Sequence, residues 1–181
     1  MSWFSSSSRV VVKTRLPPGA TLKQGVDMLH DQDFFINCDP CLQKYELVDR
    51  DLASPELPED RVKGIGPTTS YKITDVVENI PKGVWGSHVE SRYEFTDVER
   101  GLFCRIRSPL NVVMEALWEV RDAEDGEGLE LVEEADIKCS KLLIGIVKSQ
   151  SEAGAGKIHA KMIDRLKKEV EESSTTDGGS A

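Results

Sequence analysis

Lys157-Ile-His-Ala-Lys-Met-Ile-Asp-Arg-Leu-Lys-Lys-Glu-Val170 is the stretch on which the fold turns. Ile158, Met162, Leu166 and Val170 recur every fourth position, which on a helix stacks them into one apolar stripe, and Leu143 and Val147 extend it upstream. The period predicts one long helix from about Ser140 to Glu172. A stripe of that length must be buried against something, and most of the chain before it has a period of two. The helix needs a sheet as its partner.

Reading backwards from that helix, Leu129, Leu131, Glu133, Ala135 and Ile137 alternate as one face of a strand, as do Val112, Met114, Ala116, Trp118 and Val120. Leu102, Cys104 and Ile106 precede them, then Trp85, Ser87, Val89, Ser91, Tyr93 and Phe95, then Tyr71, Ile73, Asp75 and Val77. Pro81-Lys82-Gly83, Glu99-Arg100-Gly101, Ser108-Pro109 and Asp125-Gly126-Glu127-Gly128 separate the five strands, so consecutive strands pair antiparallel. Leu42 to Val48 predicts a further strand, and Val10, Val12, Thr14 and Leu16 share the inner face of the first one. Pro17-Pro18-Gly19 ends that first strand. Thr21 and Gln24 then form a capping box that opens a helix over 21–30, with Leu22, Val26 and Leu29 as its buried stripe. Asp31 or Asp33 caps a short second helix carrying Phe34, Phe35 and Ile36, which Pro40 ends. Within the last helix, Ala153-Gly154-Ala155-Gly156 predicts an interruption, since each glycine costs about 1 kcal/mol relative to alanine. Close approach to a strand or a ligand, a hinge, or a plain break between two helices would each account for it.

The order is strand, two short helices, six strands and one long helix, an α+β arrangement in one domain. With 181 residues, 39% of them apolar, the chain can build a core without disulfide or metal staples. The domain is expected over 9–172, flanked by polar disordered tails at 1–8 and 173–181. Residues 49–68 hold three prolines and two glycines without periodicity and read as a long loop, either a lid or an insertion.

This order resembles the helix-grip fold of the START-like (SRPBCC) superfamily, which includes polyketide cyclases, plant pollen allergens and lipid-transfer domains. The resemblance is carried by Val10 to Leu16 running into Pro17-Pro18-Gly19-Ala20-Thr21, by the Leu29-His30-Asp31 helix end and by the aromatic pair with Pro40 before a strand. Leu131-Val-Glu-Glu-Ala-Asp-Ile137 feeding the final helix adds to it. It spans about residues 9–172 and is most similar to uncharacterised fungal members. The motifs are topological, and none is a catalytic fingerprint. The resemblance implies a seven-stranded curved antiparallel sheet wrapped around the C-terminal helix, with an apolar cavity between them that binds lipids, sterols or polyketides. Some members are cyclases or hydrolases.

The residues themselves suggest such a cavity, because an apolar molecule entering unfilled space gains about 25 cal/mol per Å² of apolar surface buried. Trp85, Tyr93, Met114 and Trp118 are in phase with the inner face and are the lining candidates, with Glu133 from the sheet and Gly154, Ile158 and Met162 from the helix. As an alternative, the same residues are ordinary core. Asp75, Glu133 and Tyr93 are the inward polar candidates, able to orient a ligand hydroxyl or to act as a general base; Arg105 and Arg107 would pair with the acids only if the register slips. Cys38-Asp-Pro-Cys41 has the spacing of a metal or redox half-site with nothing to complete it, and Cys104 and Cys139, at the last helix's start, read as small apolar filler. His30, His88 and His159 are widely separated and read as surface residues. Ser151 and Ile158 stand where a phosphate loop needs Gly and Ser or Thr, so Gly156-Lys157 is not one. No cofactor or metal is implied.

A net charge of −9 repels phosphate polymers, which argues against nucleic acid as a partner. The longest apolar run, Leu142 to Val147, is far short of the roughly 20 residues that span a bilayer, and the start lacks a secretory leader. Lys157, Lys161, Arg165, Lys167 and Lys168 make the last helix locally basic, but Asp164, Glu169, Glu171 and Glu172 interleave with them as a salt-bridged solvent face. The sequence therefore predicts a cytoplasmic protein without stable membrane insertion, its oligomeric state open. Its expected function is to bind or carry a hydrophobic small molecule; the alternatives are a cyclase or hydrolase using an inward carboxylate, and a filled-core protein-interaction module.

Overall fold

The computed structural model describes residues 5–51, 55–58, 60–76 and 88–177. Seven strands form one antiparallel sheet: β1 (Ser5–Arg15), β2 (Leu42–Val48), β3 (Thr69–Val76), β4 (His88–Val98), β5 (Gly101–Ser108), β6 (Val112–Asp122) and β7 (Leu129–Ser140). They lie in the order β1-β7-β6-β5-β4-β3-β2, so β1 crosses to pair with β7 and every other neighbour is sequential. Helices α1 (Leu22–His30) and α2 (Gln32–Asn37) follow β1, and α3 (Ile144–Asp177) closes the chain. The helix-grip architecture expected from the element order is the one observed.

The capping box is complete: Gln24 N–H donates to the Thr21 hydroxyl at 3.2 Å, and Thr21 N–H donates to the Gln24 side-chain Oε1 at 2.9 Å. Asp31 caps α2 by accepting from Phe34 N–H. Gly25, Met28 and Leu29 are the buried residues of α1, whereas Leu22 is exposed, so the buried stripe is rotated from the expected Leu22, Val26 and Leu29. The rotation lays Gly25 onto β6, where an added Cβ would lie 2.7 Å from Val120. At the β4–β5 turn, a Cβ on Gly101 would lie 1.9 Å from the Trp118 carbonyl oxygen, so only glycine lets β5 pair with β6 there.

Four further expectations are corrected. Strand β1 begins at Ser5, so 5–8 belong to the sheet: Ser5 to Ser8 pair with Ser140 to Ile137, because β7 extends far enough to offer them backbone partners. Cys139 accordingly lies within β7 and not at the start of the last helix. Helix α3 is uninterrupted through Ala153–Gly156 and runs to Asp177, past the expected limit of 172. An added Cβ on Gly154 or Gly156 meets nothing within 4 Å, which removes close approach to a strand as the reason for the glycines.

The fourth concerns the loop after β2, which is not placed as a lid over the helix side. Its described part straps the opposite, convex face. Pro55 and Glu56 carbonyls accept from the Arg105 guanidinium at 2.7 and 3.0 Å, Arg61 pairs with Asp136 at 2.8 Å, and Ile65 N–H donates to Asp97 O at 2.9 Å. Beneath the strap Val62, Val98 and Phe103 form a second small core with Leu57 and Leu117. The main core lies on the concave side, where α3 packs along β1 and β7 while α1 packs on β5 and β6. The outward charges of α3 are paired: Arg165 bonds Asp31 at 2.7 Å and Glu169 at 2.8 Å, and Lys167 faces Asp164. Among the described residues no helix is long and apolar enough to cross a membrane.

An exposed glycine inside a helix with open space around it destabilises without compensation. Gly156→Ala is therefore expected to raise the unfolding free energy by about 0.4–1 kcal/mol, measured by urea denaturation. A loss of stability would show instead that the helix needs a flexible point there.

Candidate functional site

Between the sheet, α2 and α3 lies a cavity of about 200 Å³. Strand alternation builds its walls: Ile73 and Asp75 from β3, Tyr93 and Phe95 from β4, Cys104 and Ile106 from β5, Met114, Ala116 and Trp118 from β6, and Glu133 from β7. Phe35 and Ile36 of α2 close one side, and Gln150, Ser151, Gly154, Ala155 and Ile158 of α3 form the roof. A cleft of about 170 Å³ shares Asp75, Tyr93, Ile106, Met114, Gln150 and Ser151 and leads past Ser91, Ser108 and Val147, at the end of the sheet where α3 begins.

The walls are braced by edge-to-face aromatic contacts. Phe35 meets Trp118 at 5.1 Å and Phe95 at 5.4 Å between ring centroids, and Phe95 also meets Tyr93 at 6.0 Å. The Ser151 hydroxyl donates to Met114 Sδ at 3.7 Å, tying roof to wall. At the middle of α3, His159 is buried, not at the surface as expected. Its Nδ1 is 2.8 Å from the Thr14 hydroxyl, its ring lies 5.1 Å from Trp118, and its Nε2 is 3.7 Å from Glu133 Oε2. His30 Nε2 is held by the Val98 and Gly101 carbonyls at 3.1 and 2.9 Å, a structural tie at the β4–β5 turn.

Of the lining candidates, Tyr93, Met114, Trp118, Glu133, Gly154 and Ile158 come together in the cavity wall. Met162 does not: one turn past Ile158 it is fully buried in the filled core. Trp85 lies outside the described residues, as does Val77. The sequence reading missed Phe35, Ile36, Gln150 and Ser151 as lining residues. Their helical spacing could have placed the last two one turn before Gly154, whereas α2's seat depends on tertiary packing. Arg105 and Arg107 stay on the convex face without any register slip between β4 and β5. There Arg105 bonds Glu115 at 2.9 Å and lies 3.8 Å from Glu94, while Arg107 bonds Glu94 at 3.3 Å. The inward acids are thus left without basic partners from that source.

Burial pushes the Cys38 thiol up to about 11 and the Cys104 thiol well above the ordinary range, so neither offers a thiolate near neutral pH. Cys38 and Cys41 lie at the end of α2, Cys41 in the cavity wall. Among the described residues no group of three His, Cys, Asp or Glu is arranged to hold a metal ion.

The chain belongs to the DUF7053 family, a domain of unknown function, whose model matches residues 5–168. No curated protein matches the sequence significantly. Solved structures share the fold at low identity. The Zhui aromatase/cyclase from Streptomyces sp. R1128 is 13% identical with a TM-score of 0.60, covering 92% of this chain and 96% of its own. Ara h 8.0201 is 14% identical with a TM-score of 0.54, covering 90% and 97%, and a conserved protein from Geobacillus kaustophilus is 11% identical with a TM-score of 0.57, covering 90% and 96%. These likenesses establish the shared helix-grip fold.

Asp75 stands where cavity and cleft meet. Its Oδ1 is buried without a hydrogen-bond partner among the described residues, and burial, reinforced by the negative charge of Asp39, raises its pKa to about 7. Burial also holds the Tyr93 phenol far above its usual range, with the Asp75 charge adding to the effect. Because the folded-state pKa of Asp75 lies above the ordinary aspartate value of 3.8, the folded state binds its proton more tightly. Stability from this group is complete below the unfolded pKa and is lost as pH rises towards and through about 7. Asp75→Asn is accordingly expected to stabilise the protein more at pH 8.5 than at pH 5, read by urea denaturation of both proteins. An equal effect at the two pH values would show that Asp75 ionises as a solvated carboxylate.

Proposed function

We propose that the protein binds a small hydrophobic molecule in the cavity between its sheet and α3. The observation that carries the reading is an unfilled, mainly apolar chamber of about 200 Å³ inside an otherwise packed core, communicating with a cleft at the end of the sheet. Protein interiors are normally packed to near crystal density, and an empty apolar space costs stability that a ligand restores. The chamber is smaller than the roughly 300–1,000 Å³ of drug-sized sites, which favours a compact ring system or short chain over a whole sterol. The shared fold supports the same reading, since one structural neighbour is an aromatase/cyclase. An interaction module with a filled core is disfavoured by the same chamber.

A cyclase-type or hydrolase-type enzyme is a second reading. It is favoured by Asp75, an inward carboxyl poised near neutral pH at the junction of cavity and cleft. Binding is common to both readings, and turnover separates them.

Native mass spectrometry of the purified full-length chain is expected to detect a co-purified apolar species, and 1-anilinonaphthalene-8-sulfonate is expected to bind and be displaced by small aromatic or aliphatic molecules. Gly154 has open space beyond its Cβ position, so Gly154→Leu places a side chain in the cavity wall. It should weaken dye binding about tenfold or more while the cooperative unfolding transition is retained. Absence of any bound species together with absence of dye binding would overturn the proposal.

A further inference from the structure

We infer that the cavity selects an apolar molecule carrying a hydroxyl group, which donates its proton to Glu133. The inference rests on the binding reading above and assigns the chemical class of the ligand.

Glu133 is 4% exposed and sits on β7 opposite Val12 of β1 and Trp118 of β6. Glu133 lines the main cavity and not the adjoining cleft. Its Oε2 is buried without a hydrogen-bond partner among the described residues, and so is His159 Nε2, 3.7 Å away. That separation is too long for a direct hydrogen bond. It does accommodate a hydroxyl oxygen about 2.8 Å from each atom, which would donate to the carboxyl oxygen and accept from the imidazole N–H. Thr14 fixes the other ring nitrogen of His159 at 2.8 Å, and Trp118 packs against the ring, so the imidazole is held in place beside the carboxyl.

Buried polar atoms are almost always satisfied, and Glu133, in the wall of the apolar chamber, is the acceptor of this pair that an entering molecule can satisfy. Among the described residues Glu94 Oε2 on the convex face is also buried without a hydrogen bond, but it lies among arginines. On the convex face Arg105 and Arg107 reach Glu94, and Arg105 also reaches Glu115. Among the described residues no arginine or lysine lines the cavity wall on the concave face. A purely hydrocarbon ligand would leave Glu133 open, and a ligand carboxylate brings no proton for it to accept. A hydroxyl supplies the proton that a carboxyl oxygen accepts, and its own lone pairs are available to His159.

The test compares 2-naphthol, 2-methoxynaphthalene and naphthalene, titrated into the full-length protein by calorimetry. The methyl ether keeps the oxygen and removes only the proton it could donate. In the wild-type protein 2-naphthol is expected to bind about five- to tenfold more tightly than either comparison molecule. In Glu133→Leu that preference should disappear, with naphthalene binding retained or strengthened. Glu133→Gln keeps an acceptor oxygen and should keep part of the preference, and the wild-type comparison decides the matter even if the leucine variant fails to fold. Equal binding of the three probes to the wild-type protein would overturn the hydroxyl assignment and leave the binding reading intact. So would a uniform loss of all three in Glu133→Leu. Failure of all three to bind the wild-type protein would count against both.

Discussion

On both the sheet side and the α3 side, small residues line the cavity. Cys104 and Ala116 come from the strands, and Gly154 and Ala155 from the helix. Side chains of that size cannot span the distance between a helix and a curved sheet, so a chamber remains. Further along α3, Met162 and Leu166 are fully buried and the gap is filled. These small side chains leave part of the hollow unfilled, and each functional argument above follows from that placement.

A hollow core persists only if its walls resist collapse. The aromatic contacts of Phe35 with Phe95 and Trp118 supply one brace, and the concave curvature of the sheet supplies another. Curvature is reinforced from behind, where the strap after β2 is tied to Arg105 through the Pro55 and Glu56 carbonyls. The two faces divide the polar groups between them. On the convex side Arg105 and Arg107 pair with Glu94 and Glu115, and Arg105 ties the strap. Yet among the described residues Glu94 Oε2 keeps no hydrogen bond, and Asp75 and Glu133 on the concave side likewise each keep a buried oxygen without a hydrogen-bond partner. A buried open acceptor costs about 1–3 kcal/mol, and its place in a cavity wall makes a ligand the natural source of compensation.

Most of the fold was readable because each strand has one dry and one less buried face, and because Ile158, Met162 and Leu166 declare a helix independently of their neighbours. Elements whose structure depends on distant partners were not. Ser5 to Ser8 are strand only because β7 reaches Ser140 to pair with them, which no serine side chain announces. The glycines of α3 suggested a break, yet the helix continues because Ala155, between them, and His159, one turn on, are buried and hold it to the core. The loop after β2 looked like a lid because it lacks periodicity, and its true seat is set by an arginine about fifty residues away. The cavity wall was legible in Tyr93, Met114, Trp118 and Glu133 by alternation alone. His159 was not, since Thr14, Trp118 and Glu133, which bury it, come from three separate strands.

The claim underlying this account is that the space beneath Gly154 and Ala155 is open to an apolar guest. A crystal of the full-length protein pressurised with xenon tests it directly. The account predicts a xenon atom among Ile73, Phe95, Met114 and Trp118, with those side chains unmoved. A chamber closed by side chains and holding no xenon would contradict it.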